Sequence, residues 1–230
     1  MKTQRKTAII VGILFLIQGI ISVLINQVLS GPVAFGSYFI TNAFSYETEL
    51  VTALLISLIN GSITIGIAAM LLPVFKPYNE RISYLYFGLS ISQFAFIALN
   101  EMDRLSLLSL SQEYIQVGSP DAGYIQFMGR VLQSDYWWSH HTIMLVSCIT
   151  LSFFYYLLYR SKLVPRFIAI WGYAGVALML TTLLLGVFGG DIIMWLFIPI
   201  GLNQLFLAAW LIVTGFNPEA IKQKSPGTTD

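Results

Sequence analysis

Three charged side chains stand close together near one end of a long apolar run, and an amide precedes them: Asn100, Glu101, Asp103 and Arg104. Ionisable groups within membrane-spanning helices are rare, and they usually face the interior or water. At 100° per residue, one helix face carries Glu101 and Arg104 together with Asn100, and Gln93 lies on the same stripe. The three-residue spacing allows an ion pair. The pattern predicts a ligand-binding site, and the alternative is a structural ion pair near the lipid headgroups.

Two adjacent histidines, His140 and His141, begin a later apolar run. Neighbouring helical residues point about 100° apart, so the two rings cannot share one face. The periodicity predicts that His141 faces inward, at the outer level of the charged cluster. Three interpretations stay open: a buried histidine bonded to Glu101 or to a helix carbonyl, a metal site with Glu101 and Asp103, or an acid–base pair with Glu101. No His-x-x-x-His or Glu-x-x-His spacing supports the metal site, so we predict no metal ligand, no cofactor and no catalytic residue.

Two amides on other apolar segments, Asn60 and Asn203, complete the predicted ligand-binding set. Their alternative role is interhelical hydrogen bonding, which contributes about 0.6–2 kcal/mol per pair. Pro199 precedes Asn203 by one turn, and a proline inside a helix frees a backbone carbonyl. Glycines in the second and fifth apolar segments are expected to allow close helix approach.

The composition indicates that these residues lie in a membrane protein. The 230-residue chain is 57% hydrophobic and 10% charged, whereas soluble domains carry about 25% charged residues. Its net charge of +1 provides no basic surface for nucleic acid. The single cysteine, Cys148, excludes an intrachain disulfide.

Six apolar segments reach the roughly 20 residues that a spanning helix needs. We therefore predict an all-α, polytopic membrane protein with one domain over residues 1–230 and a loose tail over 217–230. Helical spacing over 124–132 adds a short amphipathic helix on the outer interface, followed by Tyr136, Trp137 and Trp138 as interfacial aromatics. The predicted spans are about 7–29, 50–73, 82–109, 137–159, 167–188 and 193–216.

The basic residues predict the orientation. Ten of the twelve lysines and arginines precede span one, follow span six, or lie in the connections after spans two and four. Only Arg104 and Arg130 fall on the other side. The positive-inside rule then places both termini in the cytoplasm of a plasma-membrane protein.

Two motifs in the second half carry a family resemblance. The connection after span four reads Tyr-Arg-Ser-Lys-Leu-Val-Pro-Arg over residues 159–166, and span six closes with Trp-Leu-Ile-Val-Thr-Gly over 210–215. With a histidine at the start of span four, the chain resembles a bacterial membrane family, domain of unknown function 4386. The resemblance covers roughly 136–217 and implies a bacterial plasma membrane and a similar helical bundle, but no activity. The doubled histidine departs from the family pattern, which has one.

The sequence favours a multi-pass protein that binds or transports a small ligand through an outward-facing polar cavity, with the lipid bilayer around it. One alternative is a membrane enzyme in which Glu101 and His141 act on a lipid-borne or apolar substrate. Another is a structural or regulatory membrane subunit without a site. Neither the ligand nor the oligomeric state follows from the sequence.

Overall fold

The computed structural model describes residues 2–30, 43–116 and 122–224, and these residues form helices joined by short connections. A π-helical turn, Leu24–Leu29, extends the first helix, and 3₁₀ turns precede the second and sixth at Ala43–Tyr46 and Met194–Phe197. The helices in the described ranges are α1 (Lys2–Val23), α2 (Glu47–Phe75), α3 (Glu80–Gln116), α4 (Ala122–Ser161), α5 (Arg166–Val187), α6 (Ile198–Val213) and α7 (Pro218–Lys224).

Six of these helical segments are long and apolar enough to cross a membrane, which confirms the prediction of an all-α polytopic protein. Large apolar side chains on their outer faces remain uncovered; Ile20, Val23, Met102 and Val213 are between 62% and 77% exposed. Water would disfavour so much contiguous apolar surface. Lipid tails are the environment that suits it.

The third and fourth spans are longer than the sequence predicted. With 37 residues in α3 and 40 in α4, the two helices are about 55 and 60 Å long. The segment 124–132 is helical, as its spacing indicated, but it is continuous with span four and is not a separate helix. No proline interrupts the chain between Ala122 and Trp137, so one helix runs through. Ser119, Pro120 and Asp121, a sequence typical of a helix N-cap, lie outside the described residues.

A polar side chain and two prolines lie at the starts of α3, α5 and α6. The Asn79 side chain accepts a hydrogen bond from the Ile82 amide at 3.2 Å and so caps the first turn of α3. Pro165 immediately precedes α5. Pro199 lies in the first turn of α6, where the amide that proline lacks would have no partner within the helix.

The end of span six is fastened to the first helix. Arg5 of α1 donates hydrogen bonds to the carbonyls of Ile212 and Val213 at 2.8 Å, and to that of Leu211 at 3.3 Å. These carbonyls have no partner within their own helix, and a cation also suits the negative end of the helix dipole. The chain turns at Gly215, with φ at 80°. The predicted loose tail instead starts with α7, and residues 225–230 lie outside the described part.

The described residues pack into two compact units. The first comprises Met1–Gly19, Ile63–Ser92 and Met144–Asp230, and the second comprises Ile20–Ser62 and Gln93–Ile143. An aromatic cluster fills the first unit, where the Phe154 ring lies 6.1 Å from Phe75 and 5.6 Å from Tyr86. The core of the second unit consists of Ala43, Leu50, Leu107, Leu108 and Tyr136, with Leu132 against it.

Candidate functional site

The seven predicted ligand-binding residues fall in both units. Asn203 on α6 belongs to the first unit. The other six belong to the second unit and lie on three helices: Asn60 on α2, Gln93, Asn100, Glu101 and Arg104 on α3, and His141 on α4. Four of these six, Asn100, Glu101, Arg104 and His141, are at most 4% exposed, and we call them the buried cluster.

An ion pair lies at the centre of the buried cluster. Arg104 Nη1 is 3.1 Å from Glu101 Oε2, one helical turn away on α3. Arg104 Nη2 donates to the Tyr136 hydroxyl at 3.3 Å, and its guanidinium carbon lies 5.6 Å from the centre of that ring. The Ser57 hydroxyl of α2 hydrogen-bonds the Glu101 carboxylate. Groups from α2, α3 and α4 therefore enclose one pair of opposite charges.

Asn100 connects the same stretch of α3 to α4. Its Nδ2 donates to the Ser139 hydroxyl at 2.8 Å and to the Tyr136 carbonyl at 3.2 Å. Ser139 in turn donates to that carbonyl at 3.1 Å. These bonds fix the first turns of the apolar part of α4 against the C-terminal half of α3.

His141 is held within its own helix. Its Nδ1 lies 3.0 Å from the Trp137 carbonyl, and its ring stacks on the Trp137 indole with the ring centres 3.7 Å apart. A carbonyl oxygen can only accept, so Nδ1 carries the proton in this bond. When the ring is neutral, Nε2 is then an acceptor. Of the interpretations that the sequence left open for His141, the bond to a helix carbonyl is the one that the geometry provides.

The buried cluster is closed to solvent, yet its hydrogen-bonding capacity is incompletely used. Within the described part of the chain, four of its buried atoms have no hydrogen-bond partner: Glu101 Oε2, Arg104 Nε, Arg104 Nη1 and His141 Nε2. The carboxylate oxygen and Nη1 attract each other as an ion pair without the alignment of a hydrogen bond. Buried polar atoms are nearly always paired with protein or ordered water, so such a set calls for an explanation.

Asn60 and Gln93 lie half-buried in the second unit. Asn60 Nδ2 contacts the Ser22 hydroxyl of α1 at 3.3 Å. Ser22 lies two residues before the π-helical turn, and π-turns often occur at functional sites. Asn60 and Gln93 therefore belong to the same unit as the buried cluster, although both are less deeply buried than its four residues.

Asn203 has both ends of its amide bonded within the first unit. Its Oδ1 accepts from the Tyr155 hydroxyl of α4 at 2.7 Å, and its Nδ2 donates to the Ile168 carbonyl of α5 at 2.9 Å. Asn203 and Tyr155 are fully buried. A ligand role for Asn203 stays a prediction, and these bonds favour its alternative role in holding three helices together.

Replacing Tyr155 with Phe is expected to lower the free energy of unfolding by about 0.6–2 kcal/mol, because it removes one interhelical hydrogen bond and leaves Asn203 Oδ1 unsatisfied. Unfolding of the purified protein in mixed detergent micelles measures this loss. Tyr124→Phe is the control, since Tyr124 is 68% exposed. Equal stability of the two variants would contradict the bonding role.

The sequence analysis did not place Tyr136 and Trp137 beside the buried cluster. Tyr136 was expected at the membrane interface, but it is 3% exposed and contacts both Asn100 and Arg104. The signal was present: once α4 is extended before residue 137, Tyr136 and Ser139 are one turn apart on a helix face. Trp137 was likewise assigned to the interface, although its carbonyl and ring position His141.

No group of three or more histidine, cysteine, aspartate or glutamate side chains in ranges 2–30, 43–116 and 122–224 could hold a metal ion. Cys148 is buried in the first unit and forms no disulfide.

Comparison with known proteins identifies the family. A model of the family described as domain of unknown function (DUF4386) matches residues 10–215. The chain belongs to this family. The match covers six apolar helices, the connection between α4 and α5 and the buried cluster, so the resemblance seen in the two motifs is confirmed across most of the chain. Neither the curated proteins nor the solved structures include a match.

Proposed function

We propose that this DUF4386 protein binds a small polar solute at the buried cluster, as a membrane binding or transport protein. The observation that supports the proposal most is the set of unpartnered atoms on side chains that are at most 4% exposed. A network that served only to join helices would gain from pairing them, since an unsatisfied buried group costs about 1–3 kcal/mol. A bound solute, or water in its absence, supplies the missing partners.

The chemistry of the free atoms suggests the class of solute. Arg104 Nη1 and Glu101 Oε2 face each other as an ion pair, while Arg104 Nε offers a donor and His141 Nε2 offers an acceptor when the ring is neutral. The opposite charges of Glu101 and Arg104 cancel, which disfavours a ligand with a net charge. A small neutral or zwitterionic molecule with both donors and acceptors fits this set. Asn60 and Gln93 are proposed to line its route within the same unit.

The closure of the buried cluster favours a second candidate, a structural or regulatory subunit in which these side chains only hold α2, α3 and α4 together. The third alternative, an enzyme with Glu101 and His141 as acid and base, has less support, because His141 Nδ1 is engaged by the Trp137 carbonyl. Solvent access separates the first two candidates. A solute site must open, whereas a structural network stays closed.

A cysteine in place of Ser57 is expected to react with a small membrane-impermeant thiol reagent, at least tenfold faster than a cysteine in place of Ser90. Ser57 is buried and contacts Glu101, so its reaction reports opening of the site. Ser90 is also buried on a spanning helix, but its hydroxyl bonds Tyr86, one turn earlier on the same helix. The measurement uses intact vesicles and a Cys148→Ser background.

Equal rates at the two positions would favour the structural candidate. If Ser57→Cys reacts faster, small neutral and zwitterionic solutes can be screened by how far they slow its labelling. Protection at Ser57→Cys without protection at an exposed cysteine near the other end of α3, such as Glu113→Cys, would identify a ligand.

We further propose that the protein resides in a bacterial plasma membrane with both termini in the cytoplasm. The distribution of lysine and arginine supports this orientation. Labelling of a cysteine at Glu80 should then require a permeant reagent in intact cells.

A further inference from the structure

The first unit contains a cavity of about 440 Å³ that the buried cluster does not share. It is lined by the connection between α4 and α5, Lys162–Arg166, and by Trp210 and Thr214–Pro218 at the end of α6. These are the two motifs of the family resemblance, brought together in space. The volume lies in the range of ligand pockets, about 300–1,000 Å³.

The cavity has a positive lining. Lys162 and Arg166 contribute two cations, and its described lining contains no acidic residue. The Arg166 guanidinium is held over the Tyr159 ring at 5.0 Å, and such a planar fork suits phosphate oxygens. Lys162 adopts φ of 55°, a left-handed conformation that glycine would adopt more easily. The other nearby cation, Arg5, is engaged by the carbonyls at the end of α6.

The backbone reinforces this charge. The cavity is lined by Pro165 and Arg166 at the start of α5, a helix of 22 residues without a side-chain N-cap bond. Amides of a first helical turn point outward, and the helix dipole favours an anion there. The cavity thus combines two cationic side chains with the positive end of a spanning helix.

The residues beside the cavity are apolar and uncovered. Phe167 follows Arg166 and is 52% exposed, and Val213 precedes Thr214 and is 77% exposed. Both lie at ends of spanning helices, where the lipid-facing surface meets the polar connection. A ligand seated here would place an anionic group against Lys162 and Arg166 while its apolar part lies along Phe167 and Val213.

We infer that this cavity binds the phosphate group of an anionic phospholipid. The cations and the helix end recognise the phosphate, and the exposed apolar side chains distinguish a lipid from free phosphate. The site is independent of the solute site proposed above, because all of its residues belong to the first unit.

The test compares lipid retention by the full-length protein after reconstitution in equal amounts of phosphatidylglycerol and phosphatidylcholine. Native mass spectrometry of the extracted protein is expected to show preferential retention of phosphatidylglycerol. The double variant Lys162→Gln/Arg166→Gln should reduce this preference roughly ten- to thirtyfold, since each basic residue near the membrane surface contributes about 1 kcal/mol. Lys162→Arg/Arg166→Lys, which keeps both charges, should retain most of it.

The matched control is Lys76→Gln/Arg81→Gln, which removes one charge from the connection between α2 and α3 and one from the first turn of α3, both outside the cavity lining. An equal loss in this control would overturn the inference, because general surface charge would then explain the retention. No preference in the unaltered protein would overturn it as well. Binding of millimolar inorganic phosphate by the unaltered protein, without preferential retention of phosphatidylglycerol, would show that the cavity recognises free phosphate and would reject the lipid as its ligand.

Discussion

Replacing Glu101 with Gln is expected to lower the free energy of unfolding by about 3–5 kcal/mol, because it leaves Arg104 charged and buried without its partner. Arg104→Met should cost less, since a carboxyl group can become neutral by binding a proton, whereas a guanidinium cannot. The double variant Glu101→Gln/Arg104→Met should be more stable than Glu101→Gln alone. Reversible unfolding in mixed detergent micelles, arranged as a double-mutant cycle, measures the coupling.

Lys76→Gln/Glu80→Gln provides the control for this cycle. Lys76 and Glu80 form an ion pair at 3.2 Å, but their side chains are 47% and 59% exposed. Water screens exposed pairs, so removal of this pair should leave stability nearly unchanged. If Glu101→Gln behaves like the surface control, the buried cluster is hydrated and its charges are not isolated from solvent.

Replacing Gly172 with Ala is expected to lower the free energy of unfolding by about 1–3 kcal/mol or more. Gly172 on α5 packs directly against the Tyr155 ring of α4, and an added Cβ would overlap its atoms. The ring cannot easily withdraw, because it is fully buried and its hydroxyl bonds Asn203. Unfolding in mixed micelles measures the loss, and a smaller residue at position 155 should relieve part of the overlap.

Gly201→Ala on α6 is the matched control. A Cβ at this position would meet no atom within 4 Å, and alanine is the better helix former, so stability should be unchanged or slightly higher. Equal stabilities of Gly172→Ala and Gly201→Ala would show that α4 and α5 are not as closely packed as described.

Hydropathy alone was sufficient for the number of spans. A bilayer imposes a minimum apolar length, and each of the six predicted segments corresponds to a helix that meets it. The helix ends were less accurate. Segments such as 110–116 and 122–136 are too polar to be read as membrane spans, yet no proline interrupts them, and they extend α3 and α4.

The helical periodicity of the sequence alone identified most of the buried cluster. Asn100, Glu101 and Arg104 recur on one helix face, and all three are buried. Periodicity could not identify the partners on other helices. It shows which face of a helix is polar, but side-chain packing decides which neighbouring helix that face contacts. Tyr136, which the sequence placed at the membrane interface, became part of the surroundings of the buried cluster only through its contact with Arg104.

The sequence by itself determined the all-α membrane fold, the six spans, the family and the polar face of α3, since each follows from local composition, spacing or motif. Only the tertiary structure decided which groups are satisfied. In the folded structure both ends of the Asn203 amide are hydrogen-bonded, whereas Nε2 of His141 and Nε of Arg104 have no hydrogen-bond partner. It also joined the residues around Lys162 and Thr214, 52 positions apart, in one cavity. Hydrogen bonds and cavities depend on positions in space, and residues far apart in the chain meet only after the helices have packed.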